Sequence, residues 1–120
     1  MGITHVTTII RSLSGENEPY EADFLVDTGA LDCLAPASSL AAVGIEAVKK
    51  KTYELASGDV VEYEVGFARL ELLGDETVVE IILGPENAEP ILGVLALESL
   101  GIVVDPVTQS LKRLHALPLK

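Results

Sequence analysis

The stretch FLVDTGA, residues 24–30, runs from apolar residues directly into a carboxylate. Asp27 at the end of a buried strand costs free energy unless hydrogen bonds or water stabilise it. Gly29 allows a sharp turn that brings amide groups near this carboxylate, and the Thr28 hydroxyl can bond to the main chain. An ordinary strand-closing turn would use the same residues. The stretch therefore predicts a held carboxylate, but by itself it assigns no function.

Length and composition limit the classes of protein to be considered. The 120 residues predict a single domain over 1–120, and 48% hydrophobic residues are incompatible with disorder. So apolar a composition is high for a small domain and favours association with a second copy. The 19 acidic and 8 basic residues give a net charge of −11, which repels phosphate backbones and anionic lipid. We therefore expect no nucleic-acid partner and no membrane partner.

Metal and cofactor chemistry find little support in the sequence. Cys33 is the single cysteine, so we expect neither an internal disulfide nor a cysteine-built metal site, and we interpret it as a small buried hydrophobe. His5 and His115 lack the spaced partners of a zinc site. No serine-nucleophile elbow or phosphate-binding glycine loop is present. The first twenty residues lack the basic and apolar regions of a signal peptide, so the expected location is cytoplasmic.

Apolar and polar residues alternate over most of the chain, which predicts a mostly-β domain. A turn at Ser57-Gly58 between two alternating runs predicts a β-hairpin. The segment KKK, 49–51, is interpreted as a solvated strand edge. Proline and glycine bound two short helices, predicted over 36–44 and 95–101. The predicted strands are 4–10, 20–26, 50–56, 60–73, 77–83, 91–93 and 110–119.

Three segments together resemble a known family. FLVDTGA, the hairpin around ASGD (56–59) and PILGVLALESLGIVVDP (90–106) occur in the order found in retropepsin-like, or retroviral-type, aspartic proteases, here of the small single-domain prokaryotic kind. The resemblance spans nearly the whole chain. It implies a closed acid-protease-type β-barrel with a flap hairpin and one or two short helices, active as a homodimer.

The resemblance also implies roles for individual residues. Asp27 corresponds to the catalytic aspartate, Thr28 to the residue that interlocks the two active-site loops, and Gly29 completes the catalytic loop. Viral members continue with acidic residues that hold the substrate backbone, whereas here Leu31 follows and only Asp32 keeps an acid. The implied substrate-binding residues are Ala30, Asp32, Ala56, Ser57, Gly58 and Asp59. The implied supporting residues beneath the loop are Ile91, Leu92 and Gly93.

A single Asp-Thr-Gly supplies one carboxylate, whereas water-mediated peptide hydrolysis needs an acid and a base. A symmetric homodimer would bring Asp27 of each copy to the two-fold axis, where two close carboxylates cannot both ionise freely. The resulting prediction is an aspartic endopeptidase that acts on a peptide or protein without metal or cofactor. Its specificity stays open between a general peptidase and a dedicated processing enzyme. One alternative is a catalytically weak or inactive retropepsin-like dimer that acts as a peptide-binding or interaction module. The other is a plain β-barrel interaction module with an incidental Asp-Thr-Gly.

Overall fold

The computed structural model describes residues 4–119, which form nine strands and two short helices. The domain is mostly β, as the alternating pattern predicts. No helix in this described part is long and apolar enough to cross a bilayer. In chain order the elements are β1 His5–Arg11, β2 Tyr20–Val26, β3 Cys33–Pro36, α1 Ala37–Ala42, β4 Lys49–Glu54, β5 Val60–Leu72, β6 Asp75–Gly84, β7 Ile91–Leu92, α2 Val94–Leu100, β8 Ile102–Val104 and β9 Leu111–Arg113.

Seven of these strands form one sheet in the order β1-β2-β7-β3-β6-β5-β4, and β1 also pairs with β5. β7 runs parallel to β2, and β3 runs parallel to β6, whereas the other neighbours are antiparallel. β7 thus lies between β2 and β3, which the loop 27–32 connects. β8 and β9 form a separate antiparallel pair. This topology places the end of β7 against the loop that carries Asp27.

The core is formed by alternate residues of the strands and by one side of each helix. In β2, Phe24 is fully buried while Glu21 and Asp23 are exposed, as a half-buried strand requires. In β5, residues 60–64 are exposed or half-buried, and the buried residues begin at Val65. The large side chains that are fully buried include Phe24, Ile10, Leu40, Leu70, Leu72, Ile81, Leu92 and Leu97.

β4 and the first part of β5 form a hairpin whose side chains are exposed or half-buried. Its register pairs Glu54 with Val60, so residues 55–59 form the tip. The Leu55 N–H donates to the Asp59 carbonyl oxygen at 2.8 Å and closes the turn. Gly58 has a φ of 92°, in the left-handed region that favours glycine, which explains its place in this turn. The hairpin and turn predicted from the sequence are confirmed.

The structure corrects several predicted element bounds. β3 and β8 were not predicted, because strands of four and three residues give too few alternations to be recognised. Pro36 ends β3 and α1 begins at Ala37, whereas the predicted helix began at the proline. The strand predicted over 110–119 is wrong for most of its length, since β9 covers only Leu111–Arg113.

The interpretation of KKK as a solvated edge is half correct. β4 is an edge strand of the seven-stranded sheet. Lys51, however, is half-buried and forms ion pairs with Asp32 and Glu80, and Lys49 forms an ion pair with Glu80. The sequence does not contain this information, because both acidic partners lie far from the lysines along the chain.

Candidate active site

Asp27 lies directly after β2, in a turn that fixes its carboxylate. The Asp27 N–H donates to the Leu92 carbonyl oxygen at 3.1 Å, which continues the pairing of β2 with β7. The Asp27 carbonyl oxygen accepts the Ala30 N–H at 3.1 Å. In the side chain, Asp27 Oδ1 accepts the Gly29 N–H at 3.0 Å. Asp27 is half-buried, and within residues 4–119 no ion pair joins it to a lysine or an arginine. The carboxylate is therefore held by backbone and remains partly open to solvent.

The predicted supporting residues lie against this loop. Ile91 and Leu92 pair with Leu25 and Val26 of β2, and Ile91 also pairs with Leu34 of β3. The Val94 N–H donates to the Ala30 carbonyl oxygen at 2.8 Å, so the start of α2 is bonded to the loop as well. The structure thus brings residues 27–32 and 91–94, which are far apart in sequence, into one unit.

Gly93 makes the closest approach in this unit. A Cβ at this position would lie 2.5 Å from the Asp32 carbonyl oxygen and 2.7 Å from that of Leu31. Its backbone φ of −85° is accessible to any residue, so the need for glycine arises from packing and not from the backbone angle. The short apolar-apolar-glycine motif is therefore explained by the contact that it permits.

Thr28 and Gly29 are exposed at the surface of the loop. Thr28 borders a groove of about 360 Å³ whose other walls come from α2, from β8 and from the residues that follow β8. Side chains of Val94, Leu97, Ile102 and Val104 make these walls largely apolar. The groove connects the candidate active-site loop with the C-terminal part of the described chain.

Asp32 is placed differently from the other predicted site residues. Its side chain is 2% exposed, and its Oδ2 lies 2.6 Å from Lys51 Nζ and 2.7 Å from the Tyr53 hydroxyl. Both donors belong to β4, so this acid bonds to the hairpin. Lys51 and Tyr53 were missed by sequence reasoning. The signal in the sequence was their spacing of two residues on one predicted strand. This spacing places a cation and a phenol on the same face, where both can donate to one buried acid.

Burial and neighbouring charges shift the pKa values of Tyr53 and Lys51, which bond to Asp32, and of the nearby Glu80. Burial and the hydrogen bond to Asp32 raise the pKa of Tyr53 well above its ordinary value. Burial lowers the pKa of Lys51, but the hydrogen bond to Asp32 and the charges of Asp32 and Glu80 outweigh that effect and raise it. The ion pair with Lys49, whose Nζ lies 2.9 Å from Oε1, holds the pKa of Glu80 below its ordinary value against the opposing effect of burial. All three shifts keep this cluster in the protonation state that bonds best.

The tip residues Ala56, Ser57, Gly58 and Asp59 are exposed. Their hydrogen bonds connect members of the turn, as when the Ser57 hydroxyl donates to the Asp59 carboxylate at 3.1 Å. The hairpin is linked to the active-site loop nearer its base, through the bonds to Asp32. The predicted substrate-binding residues therefore fall into three groups, which are the half-buried Ala30 in the loop of Asp27, the buried acid Asp32 and the exposed tip.

Cys33 follows Asp32 and is 1% exposed. Its Sγ accepts the Gly93 N–H at 3.5 Å, and burial raises the pKa of its thiol to about 11. The interpretation of Cys33 as a small buried hydrophobe is confirmed. Among residues 4–119, no three His, Cys, Asp or Glu side chains are grouped so that they could hold a metal ion.

Sequence comparison with protein-family models gives no match, and comparison with curated proteins gives none. Comparison with solved structures does give matches. The solution structure of simian foamy virus (mac) protease matches with a TM-score of 0.55 and 14% identity, covering 78% of this chain and 91% of that chain. EIAV protease complexed with the inhibitor HBY-793 matches with a TM-score of 0.55 and 19% identity, covering 83% and 89%.

A third match is the crystal structure of a retropepsin-like aspartic protease from Rickettsia conorii. It has a TM-score of 0.50 and 23% identity, and the alignment covers 87% of this chain and 85% of that chain. The fold is retropepsin-like. The comparisons thereby confirm the coarser part of the fold that the resemblance implied, a mostly-β retropepsin-like domain. In this domain the Asp-Thr-Gly turn packs against the apolar-apolar-glycine segment. At 14–23% identity, the similarity to these proteases establishes the fold of this chain and not its activity.

Proposed function

We propose that this protein is an aspartic endopeptidase that hydrolyses peptide bonds with two copies of Asp27 at the axis of a homodimer. The observation that carries the proposal is the state of Asp27 in the retropepsin-like fold. Its carboxylate is positioned by the Gly29 N–H, half-buried, and not paired with a lysine or arginine of the described chain. A carboxylate held in this way can exchange protons with a bound water.

The single Asp27 of each chain makes the dimer part of the mechanism. General acid-base hydrolysis needs one ionised and one protonated carboxyl group. Two aspartates brought together on a symmetry axis meet this need, because their mutual repulsion keeps one proton on the pair. A cytoplasmic location, which the sequence favours, stays a prediction.

The reaction follows from this arrangement. The ionised Asp27 accepts a proton from the water, whose oxygen attacks the carbonyl carbon of the scissile peptide bond. The protonated Asp27 of the second copy donates its proton to the carbonyl oxygen, giving a gem-diol. The diol collapses when the first Asp27 passes the proton that it took from water to the leaving nitrogen and the second Asp27 takes a proton from a diol hydroxyl. The C–N bond then breaks, which releases an acid and an amine and restores one proton to the pair. Every proton is supplied by the two carboxyl groups and water, so no metal or cofactor takes part.

The second copy is proposed to dock on the face that carries Thr28. Thr28 is exposed beside Asp27, and the apolar groove that it borders would be covered by such a partner. The family resemblance implies that two terminal segments, 2–8 and 110–119, help to join the subunits. β9 lies within the second segment and pairs with β8, which lines this groove. The N-terminal region predicted to help, 2–8, falls partly outside the described residues. The β1–β5 pairing supports the predicted closure of the sheet into an acid-protease-type barrel.

A peptide substrate is proposed to lie extended between Asp27 and the hairpin, bonded through its backbone like an added strand. Ala30 and the tip residues 56–59 would line this path. The tip is exposed and its side chains are small or polar, which leaves room for a peptide backbone. Asp32 is not placed on this path, because its carboxylate already accepts hydrogen bonds from Lys51 and Tyr53.

A statine-type peptide, which mimics the gem-diol, tests the proposed function. We expect it to bind the wild-type protein in calorimetry and to inhibit cleavage of a peptide pool followed by mass spectrometry. The Asp27→Asn variant should lose most of this affinity, because the statine hydroxyl bonds to the carboxylates. Binding without any cleavage would contradict the protease and support the alternative of a peptide-binding dimer. No binding and no cleavage would contradict both.

A further inference from the structure

The backbone at Asp32 is a fixed point of the domain. Its carbonyl oxygen packs so tightly on Gly93 that a Cβ there would lie only 2.5 Å away. The preceding carbonyl oxygen, of Leu31, accepts the Leu95 N–H of α2 at 3.2 Å. The Asp32 side chain is 2% exposed, and a carboxylate so buried requires hydrogen-bond donors. Whatever donates to Asp32 is therefore held at a point that cannot readily move.

Both donors come from one side of one strand. Lys51 Nζ and the Tyr53 hydroxyl approach the same Oδ2 of Asp32, at 2.6 and 2.7 Å. Residues two apart in a strand point to the same face, so β4 places the two donors side by side. β4 is the last strand of the seven-stranded sheet and pairs there with β5 alone. The bonds to Asp32 thus fix β4 to the domain independently of its ladder with β5.

The same lysine connects the hairpin to a second fixed element. Lys51 Nζ lies 3.3 Å from Glu80 Oε1, and Lys49 Nζ lies 2.9 Å from the same oxygen. Glu80 belongs to β6, near the middle of the sheet. Two lysines of β4 thereby alternate with two carboxylates of the domain, so the cluster is neutral and each charge has an opposite neighbour. Partly buried charges arranged in this way hold their geometry better than an exposed pair.

We propose that Asp32 is a positioning residue that anchors the base of the hairpin through Lys51 and Tyr53. This inference rests on the proposed function, in which the hairpin closes over a peptide bound at Asp27. The sequence resemblance implied that Asp32 binds substrate. We assign it instead to positioning the hairpin, because its Oδ2 is already bonded to Lys51 and Tyr53. The anchor sets where the exposed tip 56–59 stands relative to Asp27, so its loss weakens substrate binding before it affects the chemical step.

Tyr53→Phe removes one donor to Asp32 and no other heavy atom. Tyr63→Phe is the matched control, because Tyr63 lies on β5 with its ring 6.2 Å from that of Tyr53. Hydrogen exchange of the backbone amides of residues 49–65 should become about tenfold faster in Tyr53→Phe. Loss of one hydrogen bond to a charged group raises the opening equilibrium of the hairpin by about this factor. The Tyr63→Phe hairpin should exchange as the wild type does.

Lys51 supplies a second test with its own controls. Lys51→Met should raise KM about tenfold and leave kcat within twofold, as expected when only binding is affected. Lys51→Arg keeps the charge and should restore most of the affinity. Lys50→Met removes the neighbouring lysine, which lies on the opposite face of β4, and should leave both constants unchanged.

The two arms separate this inference from the proposed function. Equal exchange rates in wild type and Tyr53→Phe would overturn the anchor even if the protein cleaves peptides. A fall in kcat without a rise in KM for Lys51→Met would overturn it as well. Faster exchange in Tyr53→Phe, in a wild-type protein that cleaves no peptide, would support the anchor and contradict the protease.

Discussion

Asp27→Asn is expected to reduce peptide hydrolysis by about a thousandfold or more, the range that loss of a general acid-base group produces. The amide has the shape of the carboxylate but cannot take a proton from water. The fold should persist, because the asparagine oxygen can still accept the Gly29 N–H that Oδ1 accepts at 3.0 Å. The measurement is kcat/KM on one peptide, with circular dichroism and sedimentation showing that the variant is folded and associated as the wild type is.

Asp23→Asn is the matched control for this experiment. Asp23 lies on β2 four residues earlier, is exposed, and accepts a hydrogen bond from the Thr7 hydroxyl at 2.9 Å. The same chemical change there removes one negative charge from the chain but should leave kcat/KM within twofold of wild type. An Asp27→Asn protein as active as Asp23→Asn would remove Asp27 from the mechanism.

The second large effect is expected for the fold. Gly93→Ala should lower the free energy of unfolding by about 3 kcal/mol, at the upper end of the usual cost of overpacking. The new Cβ would lie 2.5–2.7 Å from the Asp32 and Leu31 carbonyl groups, which are backbone and cannot rotate away. Since these carbonyls belong to the loop of Asp27, the loop should shift and hydrolysis should fall as well. Urea unfolding at one fixed protein concentration measures the change.

Gly58→Ala separates crowding from backbone strain. Gly58 has a φ of 92°, and a Cβ there would have no neighbour within 4 Å. Its substitution should therefore cost about 1 kcal/mol, the penalty of the left-handed conformation alone. If Gly93→Ala proves no more destabilising than Gly58→Ala, the close packing of loop 27–32 on Gly93 is not what the sequence requires at this position.

Elements with several alternations or a diagnostic turn could be predicted from the sequence. β2 was predicted with the bounds that the structure has, because its first five residues alternate and a turn lies on each side of it. The hairpin of β4 and β5 could be predicted from Ser57-Gly58. β3 and β8 could not, since their few residues give no period. The strand predicted over 110–119 was too long because its four leucines favour a strand, whereas in the described part of the chain only Leu111–Arg113 pairs with another strand.

Some residues of the candidate site could likewise be predicted from the sequence, and others could not. Asp27, Thr28 and Gly29 form a local motif, so sequence reasoning could identify them together. The motif also indicated Ile91, Leu92 and Gly93, because the resemblance couples the two segments. The environment of Asp32 could not be predicted, since its donors lie 19 and 21 residues away and reach it only through the hairpin fold. Long-range side-chain pairing of this kind leaves no periodic signal in a single sequence.

The shared active site is the central claim, and mixing active and inactive chains tests it most directly. Wild-type protein is refolded together with a ninefold excess of Asp27→Asn, and its hydrolysis is compared with that of an equal amount refolded alone. If each site needs Asp27 from both copies, most wild-type chains pair with inactive partners and activity falls to about a tenth. Mixing the two proteins after separate refolding controls for competition for substrate. Activity that is unchanged by co-refolding would show that one chain suffices and would contradict the dyad.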